Sequence, residues 1–352
     1  GTNIIYPESG ASSNISDATV DIGNAGGRFK DLYLSGTANA GGLNVDGGTI
    51  KLDGNYPTGT DNVALGNGAL DSGSLNGSYN VAIGTDVLTE NTSGHRNTGV
   101  GEGVLQANTT GERNVGVGRT ALGANTTGSH NTAVGMDALV NNTTASNNTA
   151  IGRNSLSANT TGGTNTAVGT YSLLSNTTAS HNTAIGYDSM RLNTTGDLNV
   201  AIGWGSLDAN TTGDRAVAVG VDALGSQDTS GDTYNVGIGY GAGGAITTGT
   251  KNVALGGLAL DASTTGAANT ALGHQALTSD TQGQRSVAVG HGTLATQNFT
   301  SATSVYNIGI GYDAGNLVTT GIKNILIGGF AGDAITDADG NVAMGHSAMS
   351  SN

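Results

Sequence analysis

Asn131-Thr132-Ala133-Val134-Gly135 is the phrase on which the fold turns. It returns as NTAIG at 148–152, NTAVG at 165–169, NTAIG at 182–186 and NVAIG at 199–203. Seventeen such phrases run from the one closing on Gly66 to the one closing on Gly345. Thirteen of the sixteen gaps between closing glycines are 17 residues; those ending at Gly84, Gly239 and Gly311 are 18, 19 and 21. A fixed period this short predicts a solenoid, in which each repeat is one coil stacked on the next. Within the phrase, alternation sets Thr132 and Val134 on one face and Asn131, Ala133 and Gly135 on the other. Both faces avoid large polar groups, so the strand is expected to be covered on both sides, by its own coil and by another chain.

Outward from the strand, each repeat continues with a small residue and Leu, as in Ala121-Leu122 and Ala138-Leu139, and then Asn-Thr-Thr-Gly, as at 108–111 and 125–128. No segment is long enough for a packed helix. The expectation is an all-β parallel β-roll or β-helix of about 17 coils, with the Ala-Leu phrase as the opposite wall of the interior. At roughly 4.8 Å per coil the stack reaches on the order of 80 Å. Asn131 and its equivalents are expected to form an amide ladder at a coil corner. The glycines are expected to serve positive φ or close backbone approach. The extra residues of the irregular repeats belong in corner loops at 71–79, 225–234 and 295–306, because a one-residue slip inside a strand would reverse every later facing.

Residues 1–58 lack the repeat and form a separate N-terminal segment; residues 59–352 are the array. Leu43-Asn44-Val45 and Thr49-Ile50-Lys51-Leu52, between Gly pairs, read as short strands and turns. The 352 residues include 61 Gly, 2 Pro and no Cys, with 4% aromatic and 11% charged residues. Gly follows no Gly-X-Y period, which excludes collagen. So little apolar volume per coil predicts a homo-oligomer. A net charge of −14 argues against nucleic acid and anionic membrane as partners. No apolar run is long enough to span a bilayer. The chain starts at Gly1 without Met, as a fragment or processed product would.

The strand phrase resembles the NSVAIG phrase in the heads of trimeric autotransporter adhesins. The resemblance covers about residues 61–349 and implies a left-handed parallel β-roll that trimerises along the fibre axis. The adhesin repeat is shorter and lacks Asn-Thr-Thr-Gly. Residues 21–36, DIGNAGGRFKDLYLSG, resemble a phrase of tail-fibre proteins of tailed bacteriophages, where similar arrays precede a self-cleaving chaperone. The sequence stops at Ser350-Ser351-Asn352, just after a strand phrase, an end expected of a trimmed fibre and equally of a fragment. The resemblances imply a structural and receptor-binding tail-fibre protein of a virion, a homotrimer. It would hold other tail proteins through its N-terminal side and a host-surface glycan or outer-membrane component through its array. A bacterial surface adhesin head is the alternative owner. A carbohydrate-cleaving tail spike and an ice-binding Thr face are lesser alternatives.

No catalytic constellation, cofactor motif or metal site emerges from the residues, and the expectation is a protein that is not an enzyme. No GxxxxGK[ST] loop occurs. Asp337-Ala338-Asp339-Gly340-Asn341 starts like a calcium loop but lacks the downstream Glu, so it reads as a turn. The Asn-Thr-Thr sequons read as unmodified turn residues whose threonines bond locally. The position after the closing Gly carries Tyr187, Trp204, Tyr240 and Tyr312, with His274, His291 and His346 nearby in the same column. Tyr187 and Trp204 fall on successive coils, and Trp204 is the single Trp. Such a stripe makes a sugar platform if it faces solvent, because aromatic faces stack on the apolar faces of sugar rings. The same rings placed between chains would fill a trimer groove. His274 and His291 read as stacked surface imidazoles more readily than as metal ligands.

Overall fold

The computed structural model describes residues 61–350. The N-terminal segment with its short strands, the tail-fibre-like phrase at 21–36 and the last two residues lie outside the described residues. The array is an all-β parallel solenoid with no helix among the described residues. Its main element is one 17-stranded parallel sheet, from Val63–Leu65 to Val342–Met344. Each strand is three residues long, shorter than the five-residue phrase, because Asn and Gly at its ends are given over to corners. Register is strict: Thr132 pairs with Thr149, Ala133 with Ala150 and Val134 with Ile151.

The register also survives the irregular repeats. Val63 pairs with Val81, Val217 with Val236 and Val287 with Ile308. The extra residues are taken up at corners inside 71–79, 225–234 and 295–306. Two of these corners add short parallel pairs of their own, Gly213–Asp214 with Gly231–Asp232 and Gly283–Gln284 with Thr303–Ser304. Strands are thus spared and corners absorb the insertions, as the period-2 facing rule requires.

The interior is narrow. Ala133, Ala150, Ala167 and Ala184 form one wall and Leu122, Leu139, Leu156 and Leu173 the other, all fully buried. Small faces large across the coil, which fills a space too thin for two branched side chains. The Leu wall is not a β-strand. Asp137 and Leu139 take φ of 57° and 51°, and their equivalents repeat this in most coils. Left-handed Leu costs roughly 1 kcal/mol per residue. The cost is offset by inter-coil bonds such as Leu139 N–H to the Ser155 carbonyl at 3.0 Å.

The closing glycines do need positive φ. Gly135 has φ 133°, and a Cβ there would stand 2.6 Å from the Gly152 carbonyl oxygen. The Gly of Asn-Thr-Thr-Gly serves a different purpose: Gly111 is buried, and its Cβ would run into the Asn108 side chain and the Gly128 carbonyl.

Asparagine makes two ladders, of which the sequence suggests one. Asn131 Oδ1 accepts the Asn148 N–H at 3.0 Å, and Asn131 Nδ2 donates to the Ala145 carbonyl at 2.8 Å. This is the expected corner ladder, built amide to backbone. The second adds to the reading of Asn-Thr-Thr as turn residues: Asn125 Nδ2 closes its own corner on the Gly128 carbonyl at 3.0 Å and also bonds one coil away. Asn108, Asn125, Asn142 and Asn159 are fully buried and bonded side chain to side chain along the stack, at 2.8–2.9 Å. Such buried sequons offer no amide to a glycosyl transfer in the folded chain. The threonines bond away from their own turn: Thr109 Oγ1 donates to the Thr126 carbonyl at 3.1 Å, one coil on.

Candidate functional site

The position after each closing Gly lies at an outer corner, held in a column by the next residue. Gly205 N–H donates to the Tyr187 carbonyl at 3.1 Å, and Asp222 N–H to the Trp204 carbonyl at 2.9 Å. In this chain the four candidate rings all face outward: Tyr187 is 48% exposed, Trp204 51%, Tyr240 61% and Tyr312 53%. They do not form one continuous stack. Tyr187 meets Tyr171 edge-on at 6.0 Å, and Trp204 touches no other ring among the described residues. Val221 stands at the column position between Trp204 and Tyr240.

The gap between those two rings is a groove of about 450 Å³. Trp204 and Tyr240 line it, with Gly205, Gly225, Gly241 and Gly244 leaving room where side chains would otherwise stand. The corner residues Gly225 and Ser226, where the irregular repeat begins, also line it. Four carboxylates enter the same groove: Asp188, Asp208, Asp222 and Asp261. These aspartates escape sequence reasoning. They alternate between two column positions, two and five residues after the closing Gly, and no single column displays the group.

Arg191 organises one end. Its Nε lies 3.1 Å from Asp208 Oδ1 and 3.8 Å from Asp188 Oδ1. The hydrogen bond to Asp208 raises the Arg191 pKa. Burial pushes the Asp188 carboxyl above its ordinary value; Arg191 pulls it back, and the Asp208 charge adds to the rise. Asp188 Oδ1 is buried without a hydrogen bond. Asp222 and Asp261 make no ion pair among the described residues.

The stacked rings lie farther along. His274 and His291 stack at 5.4 Å, and His291 stacks on Tyr312 at 5.2 Å. Tyr312 then meets Phe330 edge-on at 5.3 Å, and Phe330 meets His346 at 5.8 Å. Phe330 belongs to the neighbouring column, with φ 56°, and its ring joins the stack from there. The stacked imidazoles match the sequence reading. Among the described residues no three His, Asp or Glu side chains gather in a way that could hold a metal ion.

Comparison with known proteins yields no matching family model, no matching curated protein and no matching solved structure.

Proposed function

We propose that this chain is the receptor-binding part of a bacteriophage tail fibre, attaching the virion to a glycan or outer-membrane component of the bacterial surface. The observation that carries the reading is the open groove between Trp204 and Tyr240. Indole and phenol faces stack on the apolar faces of sugar rings, and Asp222, together with the Asp261 oxygen not bonded to the Thr278 hydroxyl, can accept bonds from sugar hydroxyls. The tail-fibre-like phrase at 21–36 supports a virion owner over a bacterial adhesin head. The strand phrase is common to both.

Three parallel copies fit this reading. The outward face of the 17-stranded sheet is aliphatic or Thr in every strand, from Leu65 and Ile83 to Ile310 and Met344, and these four are more than a third exposed in one chain. An apolar strip of this length, on the order of 80 Å, is more than a monomer leaves to water. Light scattering at neutral pH tests it: a trimer is expected, and a monodisperse monomer would end the claim.

The attachment role is tested by adsorption of the chain to host cells. Trp204→Ala should leave assembly intact and weaken adsorption tenfold or more, the effect of a hot spot of roughly 2 kcal/mol. Adsorption equal to wild type would remove the groove from the reading. Release of reducing ends from the host polysaccharide would assign the four aspartates to a cleaving spike instead.

A further inference from the structure

The residue immediately before each strand-leading Asn, or Ser286 in its place, forms another exposed column. Over six successive coils it reads Tyr234, Lys251, Ala268, Arg285, Tyr306 and Lys323, every one exposed. All six have φ between 50° and 63°, and their spacing is fixed by backbone bonds between coils. Lys251 N–H donates to the Thr233 carbonyl at 2.8 Å, Arg285 N–H to Ala267 at 3.1 Å and Lys323 N–H to Val305 at 2.8 Å. A cation therefore stands on every second coil, roughly 10 Å from the next.

The chain holds 12 Lys and Arg against 26 Asp and Glu, yet this edge is locally basic. The preceding column, Thr233, Thr250, Ala267, Gln284, Val305 and Ile322, contains no carboxylate. Lys251 and Lys323 make no ion pair among the described residues. Arg285 lies 5.7 Å from the Tyr306 ring centre and bonds to Ser304, so its charge is not neutralised. Acids bound the stretch at its ends. Asp232 is taken up by Arg215 and by the Tyr234 hydroxyl, and Asp339 accepts the Ile322 N–H at 2.7 Å. At physiological salt, charges more than about 8 Å away are largely screened, so the local column outweighs the acidic remainder.

We propose that this edge binds a linear acidic polysaccharide carrying a carboxylate on every second sugar. An extended glycan advances per sugar by about the rise of one coil. Its acidic residues then meet Lys251, Arg285 and Lys323, and its neutral sugars meet small Ala268 and the ring of Tyr306, where stacking is available. A single-stranded nucleic acid carries charge on every unit and would find a cation for only half of them. The proposal needs only this edge and holds whether or not the Trp204 groove attaches a virion.

The probe is hyaluronan, an alternating glucuronate and N-acetylglucosamine polymer, titrated into the full chain at 50 mM salt. Binding is expected, with dextran of the same length not binding. Affinity should fall as salt rises from 50 to 200 mM, because added ions screen each carboxylate–cation contact. The Lys251→Gln/Arg285→Gln/Lys323→Gln variant should lose tenfold or more, and Lys251→Gln alone a part of that. Lys251→Arg/Lys323→Arg should keep wild-type affinity, and Trp204→Ala should leave hyaluronan binding unchanged. Hyaluronan binding no better than dextran, full affinity in the triple variant, or tighter binding of oligothymidylate would each overturn the proposal.

Discussion

The coils after Gly84 to Gly203 and the coils after Gly239, Gly311 and Gly328 solve the same interior in opposite ways. In the first region Leu and Asn stand three residues apart, as Leu139 and Asn142, and the asparagines bond along the stack from Asn91 to Asn210, with Met190 once in place of Leu. In the second the pair becomes Gly and a branched aliphatic: Gly243 with Ile246, Gly315 with Val318, Gly332 with Ile335. The volume removed at one position returns at the other. A Cβ at Gly243 would meet Ile246 Cδ1 at 2.9 Å, and one at Gly315 would meet Leu326 Cδ1 at 2.5 Å. Leu326 takes a strand-centre position held elsewhere by Ala or Gly, filling the space above both Gly315 and Gly332. The coil therefore specifies a volume and a set of satisfied polar groups, and not one pair of residues. Where neither solution is complete, polar atoms are left over. Gln227 Nε2 and Ser263 Oγ, both in the Asn column, are buried without partners.

The largest expected effect ignores the difference between the regions. Gly135→Ala and Gly239→Ala each force a side chain onto φ 133° and against the next coil's backbone at 2.6 Å. Each should cost roughly 3 kcal/mol or more in urea unfolding. Clearly unequal losses would break the view that both regions share one coil.

Next comes the ladder. Asn142→Ala leaves Asn125 Oδ1 without its donor and takes one of the two acceptors of Asn159 Nδ2, which keeps the Gly162 carbonyl. One orphaned acceptor and one lost bond should cost about 2 kcal/mol. A loss within about 0.5 kcal/mol, the range of a surface change, would mean that the ladder is incidental.

The volume exchange itself can be tested by transplanting it. Leu139→Gly and Asn142→Ile should each destabilise, and together they should cost at least about 1 kcal/mol less than their sum. Strict additivity would show that the Gly and aliphatic pairs are unrelated.

The smallest effect concerns Asp280, which occupies the Asn column between the two solutions. It is buried and accepts bonds from Gln297 Nε2 at 2.5 Å, Gly283 N–H at 2.9 Å and Phe299 N–H at 3.1 Å. Burial raises its pKa above the ordinary carboxylate value, against those bonds. The folded state thus holds the proton more tightly than the unfolded one. The associated stability is present below the unfolded pKa and is lost as pH rises through the folded pKa. Wild type should gain on Asp280→Asn as the pH falls from 7 to 4, read from unfolding midpoints. A gain in the other direction would reverse the assignment.

Much of the array is legible in the residues. The period and the phrase around Ala133 predict one coil per repeat, and the facing rule places the insertions at corners. The shared outer-corner column of Tyr187, Trp204, Tyr240 and Tyr312 follows from their place after the closing Gly. The groove does not. Asp188 and Asp261 lie 73 positions apart and share no column, and only the stacking of coils brings them to one trough.

What the sequence determined by itself was the strand, because a three-residue β segment obeys a period of two and repeats it at a fixed interval. What only the tertiary structure decided was the rest of the coil. There the sign of φ changes at alternate residues, as at Asp137 and Leu139, and side-chain facing no longer follows the strand rule. That is why Asn142 enters the interior when its neighbours read as a surface turn. It is also why Leu139 can line a wall without a strand. Packing against the adjacent coil fixes these conformations, and the hydrogen bonds that repay them come from residues one coil away.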